Sequence, residues 1–290
     1  MFWLLISILL SSSLLLLFRW FPQAGIHTPS AILMNYLVCV VTGSIQAGDR
    51  HIFREDLWQK SWFWPCLALG ILFIVVFNAM GQAARVAGSS LTAMASKMGL
   101  LIPVLMSVLF LGDPWQWTIL PGLCGTLIAL YLLNPGKGAE ASFAFKSLML
   151  LLLVFVGSGM VDAGVKLVQF YFLKEAGADQ TATLIFCGAF LSGLLFQLAQ
   201  KDKSYRFPSL KDIGGGLILG LCNYGSIYTL MNALNQHEFP ASFIFPMNNL
   251  GVVVVTTAAS IALFKERLSR RQLAGLGLAA FAIVLLSIYN

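Results

Sequence analysis

The chain has 290 residues, of which 58% are hydrophobic and only 10% charged, with a formal net charge of +6 and a mean hydropathy of +0.83. A soluble domain carries about 25% charged residues, so this composition excludes one and requires most of the surface to face lipid. The basic excess would suggest nucleic acid in a soluble chain. Here it sits in short connections between apolar runs, where it sets membrane orientation, and no nucleic-acid partner is expected.

Crossing roughly 30 Å of hydrocarbon takes about 17–25 apolar residues in a helix. Ten such runs occur in chain order, near 2–18, 30–47, 62–83, 88–111, 116–134, 147–173, 180–200, 212–234, 240–264 and 270–289. The expected class is therefore an all-α membrane protein of ten transmembrane helices. The first run lacks a basic n-region and an A-x-A-like cleavage site and reads as a retained span, closed by the interfacial anchor Arg19, Trp20 and Phe21. The five cysteines, Cys39, Cys66, Cys124, Cys187 and Cys222, all lie in apolar runs without C-x-x-C spacing. They read as small packing residues.

Basic residues are unevenly divided between the connections. The odd-numbered ones hold Arg19, Arg85, Lys137, Lys146, Lys201, Lys203, Arg206, Lys211, Lys265, Arg267, Arg270 and Arg271; the even-numbered ones hold Arg50, Arg54, Lys60 and Lys174. Positive charge favours the cytoplasmic side. The expectation is a multi-pass plasma (inner) membrane protein with both termini outside.

Shifting the sequence by 153 residues superposes 86–134 on 239–287 without a gap. Ser89 then meets Ser242, Ser107 meets Ser260, Gly122-Leu123 meets Gly275-Leu276, and Ala129 meets Ala282. The turns "FLGDPWQW" and "LFKERLSR" correspond as well, with Asp113 opposite Glu266. Five spans per half is odd, so the halves must be inverted, an arrangement found in transporters with midplane sites. The expected divisions are 1–136 and 147–290, two inverted five-helix repeats (5+5), joined by a cytoplasmic linker over 137–146.

The segments "LGDPWQW…PGLCGTLIALYLL" and "FKERLSRRQLAGLGLAAFAIVLL", together with this plan, resemble the drug/metabolite transporter (DMT) superfamily and, within it, the EamA-type transporters. That family's repeat ends with a Gly-Glu-like turn before a Gly-rich last helix. Glu266, Gly275 and Gly277 match it, whereas the first repeat has Asp113 in place of the glutamate. The resemblance implies a scaffold that exports amino acids and other small metabolites, with relatives that carry sugar phosphates or nucleotide sugars.

Polar residues within spans are costly and mark cavities, pairs or pathways. Lys97, Asp162 and Lys166 are the ionisable ones. Asp162 and Lys166 stand four apart on one helix face and can pair, either to neutralise each other or to border a cavity. Lys97 has no partner on its own helix and lies about 12 Å into its span, too deep to snorkel easily. It is expected to line the cavity and favour a carboxylate or phosphate; pairing with Asp162, or with carbonyls freed near Pro103, is the alternative. Pro246 precedes Asn248 and Asn249, and a break there would expose carbonyls. Asn249, the repeat mate of Ser96, is the preferred site residue of the two. Asn78 with Gln82, Tyr224 with Tyr228, and Asn35 with Tyr36 either line the path or bond between helices. Gly216 and Gly220 form a small-xxx-small pair.

The expected function is secondary active transport of a small polar metabolite, anionic or zwitterionic such as an amino acid, by alternating access. Lys97, Asn249, Asp162, Lys166, Asn78 and Tyr228 are the expected substrate-binding residues. The partners are a small-molecule substrate and the lipid bilayer; a coupled proton and a monomer or homodimer remain open. No cofactor or metal is expected: His27, His51 and His237 lie near span ends without metal spacing, and there is no G-x-S-x-G, H-E-x-x-H or G-x-x-x-x-G-K-[ST] pattern. An intramembrane enzyme or ATP-driven pump is thereby disfavoured. A channel, or a receptor binding retinal or another ligand through a lysine, is the alternative.

Overall fold

A computed structural model of the chain describes all residues except 48–56, 111–120, 122–123, 126–127, 130–131, 133–140, 173–177, 200–207, 236–240 and 289–290. The described helices are α1 (Phe2–Trp20), α2 (Thr28–Ala47), α3 (Phe63–Val86), α4 (Ser89–Met98), α5 (Leu101–Phe110), α6 (Ala141–Phe172), α7 (Ala178–Ala199), α8 (Leu210–Asn235), α9 (Ala241–Phe264) and α10 (Arg270–Ile288). A short 3-10 turn, Leu57–Gln59, precedes α3. Among the described residues eight helical stretches are long and apolar enough to cross a membrane, α4 and α5 together providing one of them. Most of the fifth predicted run lies outside the described residues, as do Asp113 and the 137–140 part of the linker; the described positions 121, 124–125, 128–129 and 132 are helical.

Local signals place the helix ends. Ser209 and Asp212 form a capping box at α8: the Ser209 backbone N–H donates to Asp212 Oδ2 at 2.8 Å, and the Asp212 N–H donates to Ser209 Oγ at 3.3 Å. Asp212 Oδ1 also accepts the His27 N–H at 2.7 Å, which ties the α1–α2 turn to the start of α8. Ser269 and Gln272 repeat the capping box at α10, with bonds of 2.9 and 3.2 Å.

The expected helix break falls elsewhere than at Pro246. α9 runs through that proline, and the interruption separates α4 from α5 at Gly99–Leu100. Pro103 has no N–H for the Gly99 carbonyl, and its ring crowds that turn. The backbone tightens accordingly: Gly99 N–H donates to Ser96 O at 3.1 Å and Ile102 N–H to Gly99 O at 2.9 Å, both three-residue steps.

In lipid, helices associate through small residues that let backbones approach. A Cβ built on Gly220 would stand 2.6 Å from Val38 Cβ of α2, and Gly216 packs on the same helix at Met34 and Ala31. The expected small-xxx-small pair is thus a helix–helix seam. α2 packs on α7 and α8, α3 on α6 and α7, and α1 on α8 and α9; α4 lies among α1, α3, α6, α9 and α10. Phe18, Tyr36, Met94, Met98, Leu151 and Phe186 fill the interior. All five cysteines are free, and three of them, Cys39, Cys66 and Cys187, are buried, in keeping with a packing role.

Candidate functional site

Helix α6 shows its outer face as an exposed apolar stripe, Met149, Leu153, Val156 and Met160, spaced so that all four share one side of the helix. At 100° per residue, Asp162 points roughly 150° away from that stripe, toward the helices that pack on α6. It is nevertheless exposed. Its carboxylate is thus solvent-accessible on the side of α6 that the neighbouring helices cover, away from the apolar stripe.

The charge it meets is Lys97, with which it interacts electrostatically. Lys97 is half-buried and occupies the last turn of α4, where the carbonyl end of the helix dipole favours a cation. The neighbouring Ser96 Oγ lies 3.1 Å from Ser158 Oγ of α6. Just beyond, α4 and α6 cross at two glycines: a Cβ on Gly99 would stand 2.7 Å from Gly159 N, and one on Gly159 would stand 2.5 Å from Gly99 O. Only hydrogen fits at either position. The near approach of the two backbones is what brings Lys97 and Asp162 together from elements far apart in sequence. The two side chains interact electrostatically across helices, in the direction of the alternative weighed for Lys97. Lys166 is half-buried on the same side of α6 as Asp162 and makes contacts of its own.

Helix α9 has the same construction. Met247, Val254 and Ile261 are exposed along one stripe, and Asn249 points roughly 150° away from it and is half-buried. Asn248 is buried and accepts a 3.1 Å hydrogen bond from Ser7 Oγ of α1, which also bonds the Ser226 carbonyl at 3.0 Å. The two adjacent amides thus divide the work expected of them, Asn248 joining helices and Asn249 facing inward.

Two expected site residues are not brought to this face. Tyr228 is 39% exposed on the outer stripe of α8 with Leu210, Leu217 and Leu221, and its ring meets Trp3 edge-on at 6.3 Å. Asn78 lies near the outer stripe formed by Trp64, Ile71 and Val75 and donates to its own helix at Ile74 O, 2.8 Å. Gln82 is exposed on that stripe as well. Asn35 and Tyr36 are fully buried, Asn35 Oδ1 accepting from Asn223 Nδ2 at 3.2 Å.

Sequence reasoning missed Ser7, Ser96 and Ser158 as contact residues, and it read Glu266 only as part of a scaffold turn. The Glu266 carboxylate sits at the start of α4. Oε1 accepts from the Ser89 N–H at 2.9 Å and Ser89 Oγ at 3.2 Å, and Oε2 from Ser90 Oγ at 2.7 Å. Arg19 Nε stands 4.0 Å from Oε1, and the same guanidinium donates to the carbonyls of Ala84 and Arg85 at the end of α3. Gly88, with φ 96°, caps the helix without a side chain, so a carboxylate from another element supplies the missing acceptors. The paired acidic turn and its helix start in the sequence repeat were the available signal. Among the described residues no cluster of metal-binding side chains occurs.

No known family's sequence profile matches the chain. It is 25% identical over 286 residues to a protein of Haemophilus influenzae that is described as uncharacterized, covering 97% of this chain and 95% of that one. A solved crystal structure of a protein is similar across 96% of this chain and 95% of its own, with a TM-score of 0.57 and 15% identity. That likeness shows a shared fold along essentially the whole chain and carries no activity with it.

Proposed function

We propose that the protein is a secondary transporter of a small polar metabolite, anionic or zwitterionic, that works by alternating access between two inverted five-helix repeats. The observation that carries this reading is the exposed Asp162 opposed by Lys97 on the inward side of spanning helices. Two opposite charges on the inward sides of spanning helices serve no packing need, and ionisable groups so placed mark substrate or ion paths. Lys97 offers a carboxylate its partner, Asp162 offers an ammonium its own, and Asn249 supplies amide hydrogen bonding.

The inverted repeat is supported by helix packing. Exchanging α1, α2, α3, the α4–α5 pair and the fifth span for α6, α7, α8, α9 and α10 maps the main contacts between the halves onto one another. The α1–α8 contact becomes α6–α3, α2–α8 becomes α7–α3, and α1–α9 becomes α6–α4; each of these is present. Single residues follow the same rule. A Cβ on Gly251 of α9 would press on Ile8 of α1 at 2.5 Å, and one on Gly99, a residue off from the offset mate of Gly251, would press on Gly159 of α6. The Ser7–Asn248 bond corresponds, within a residue, to Ser158–Ser96. A polytopic protein in the plasma membrane, with the Glu266 end in the cytoplasm, fits the distribution of basic residues.

The test is a thermal-shift screen of the purified protein against amino acids, organic acids, sugar phosphates and nucleobases, followed by flux measurements in proteoliposomes with whichever compound stabilises it. Lys97→Ala is expected to abolish flux while leaving insertion and folding intact. Full flux through that variant would remove Lys97 from the site, and saturation of the wild-type rate with substrate separates a carrier from a channel.

A further inference from the structure

Helix α4 is divided along its length. Ser89 through Ala95 are all buried, and the first half-buried side chains of the helix are Ser96 and Lys97. Six steps of 1.5 Å make the buried stretch about 9 Å long. It packs against α1, α3, α6, α9 and α10, so these buried turns separate Lys97 and Asp162 from the start of α4. The seal ends at Glu266, whose carboxylate joins three elements: the α9–α10 turn that carries it, the first turn of α4 through Ser89 and Ser90, and the end of α1 through Arg19. Ser89 Oγ adds a 2.6 Å contact with Ser260 Oγ of α9.

The carboxylate is held in position by an unfavourable backbone. Lys265 is the one non-glycine among the described residues with positive φ, at 52°, a conformation in which an L-residue's Cβ crowds the following carbonyl. It reverses the chain after α9, with the Glu266 N–H turned back toward Ser260 O at 3.4 Å, and it aims the Glu266 side chain at α4.

We infer that Glu266 is a latch, closing one end of the central passage by bonding the α9–α10 turn to the first turn of α4 and to Arg19, and that the conformation described is the one closed at this end. Opening there requires the carboxylate to release Ser89 and Ser90 before the buried turns of α4 can separate from α9 and α10. The inference rests on the transporter reading, but its test reads access and not flux.

The experiment places a single reporter thiol, Ser96→Cys, in protein whose five native cysteines are replaced by serine, reconstituted in vesicles of known orientation. A membrane-impermeant maleimide is applied to each side in turn. With Glu266 intact, labelling is expected only from the side opposite Glu266. Glu266→Gln, and separately Ser89→Ala with Ser90→Ala, are expected to raise labelling from the Glu266 side about tenfold, the effect of losing one charge-assisted hydrogen bond of about 1.4 kcal/mol. Unchanged labelling from that side in both variants would overturn the latch. A disulfide between Ser90→Cys and Glu266→Cys should suppress labelling from that side until it is reduced; persistent labelling of the crosslinked protein would overturn it equally. Labelling that follows these expectations in vesicles without flux of any screened compound would leave the latch standing and remove the transporter reading.

Discussion

Lys97 and Asp162 are each costly alone and tolerable together, and this coupling is measurable. Removing one charge leaves the other at membrane depth without its partner; removing both leaves two neutral groups. A double-mutant cycle of Lys97→Met and Asp162→Asn, read by thermal unfolding in detergent, is expected to show a coupling of about 0.5–3 kcal/mol, the range for residues in direct interaction. The corresponding cycle between Asp162 and Lys166 distinguishes the i,i+4 alternative, and a larger coupling there would displace Lys97 as the principal partner. The sequence made all three charges conspicuous but could not choose between partners, because the choice depends on how closely two helices approach. That approach is set by Gly99 and Gly159, residues with no chemistry of their own to notice. The azimuth of Tyr228 and Asn78 was equally illegible: these spans are apolar all round, so no polar face marks which side meets lipid. Tyr228→Phe and Asn78→Ala are accordingly expected to change flux by less than about twofold, and a large loss would return either residue to the site.

At the scale of elements, the crossing of α4 with α6 is the most sensitive place in the fold. A side chain at Gly159 meets backbone oxygen at Gly99 and the Ile102 side chain at once, and backbone cannot yield as a flexible side chain can. Gly159→Val is expected to cost about 1–3 kcal/mol through overpacking, seen as a lowered Tm, and to separate Lys97 from Asp162. Lys265 gives the opposite expectation. Glycine adopts φ 52° without the Cβ penalty, so Lys265→Gly should stabilise by about 0.5–1 kcal/mol and preserve the Glu266 bonds. Helix positions were largely legible from hydropathy, whereas the capping boxes of Ser209 with Asp212 and Ser269 with Gln272 emerge only from the structure. The break expected at Pro246 lies in the fourth span instead, because two prolines, Pro103 and Pro246, carry the same local signal. The surroundings decide between them: α9 continues past Pro246, while Gly99 next to Pro103 lets the tightened turn form.

For the whole molecule, the unbroken 153-residue offset is the sequence feature from which the proposed inverted repeat starts. It could not show that α4 would be isolated as a half-helix with an acid at its N-terminal pole and a base at its C-terminal pole. Ten residues at 1.5 Å make it about 15 Å long, a single stiff dipole touching the proposed ligand site with one end and the Glu266 turn with the other. A rod transmits displacement directly, so no chain of intermediate side chains is needed to connect the two ends. Thermodynamic linkage then imposes an equality: the factor by which a bound ligand shifts the balance between latched and unlatched forms must equal the factor by which unlatching shifts the ligand's affinity. Titrating the stabilising compound against wild-type protein and Glu266→Gln gives one factor, and maleimide protection of Ser96→Cys by the same compound gives the other. Agreement between them would make α4 the element through which occupancy and access are one equilibrium.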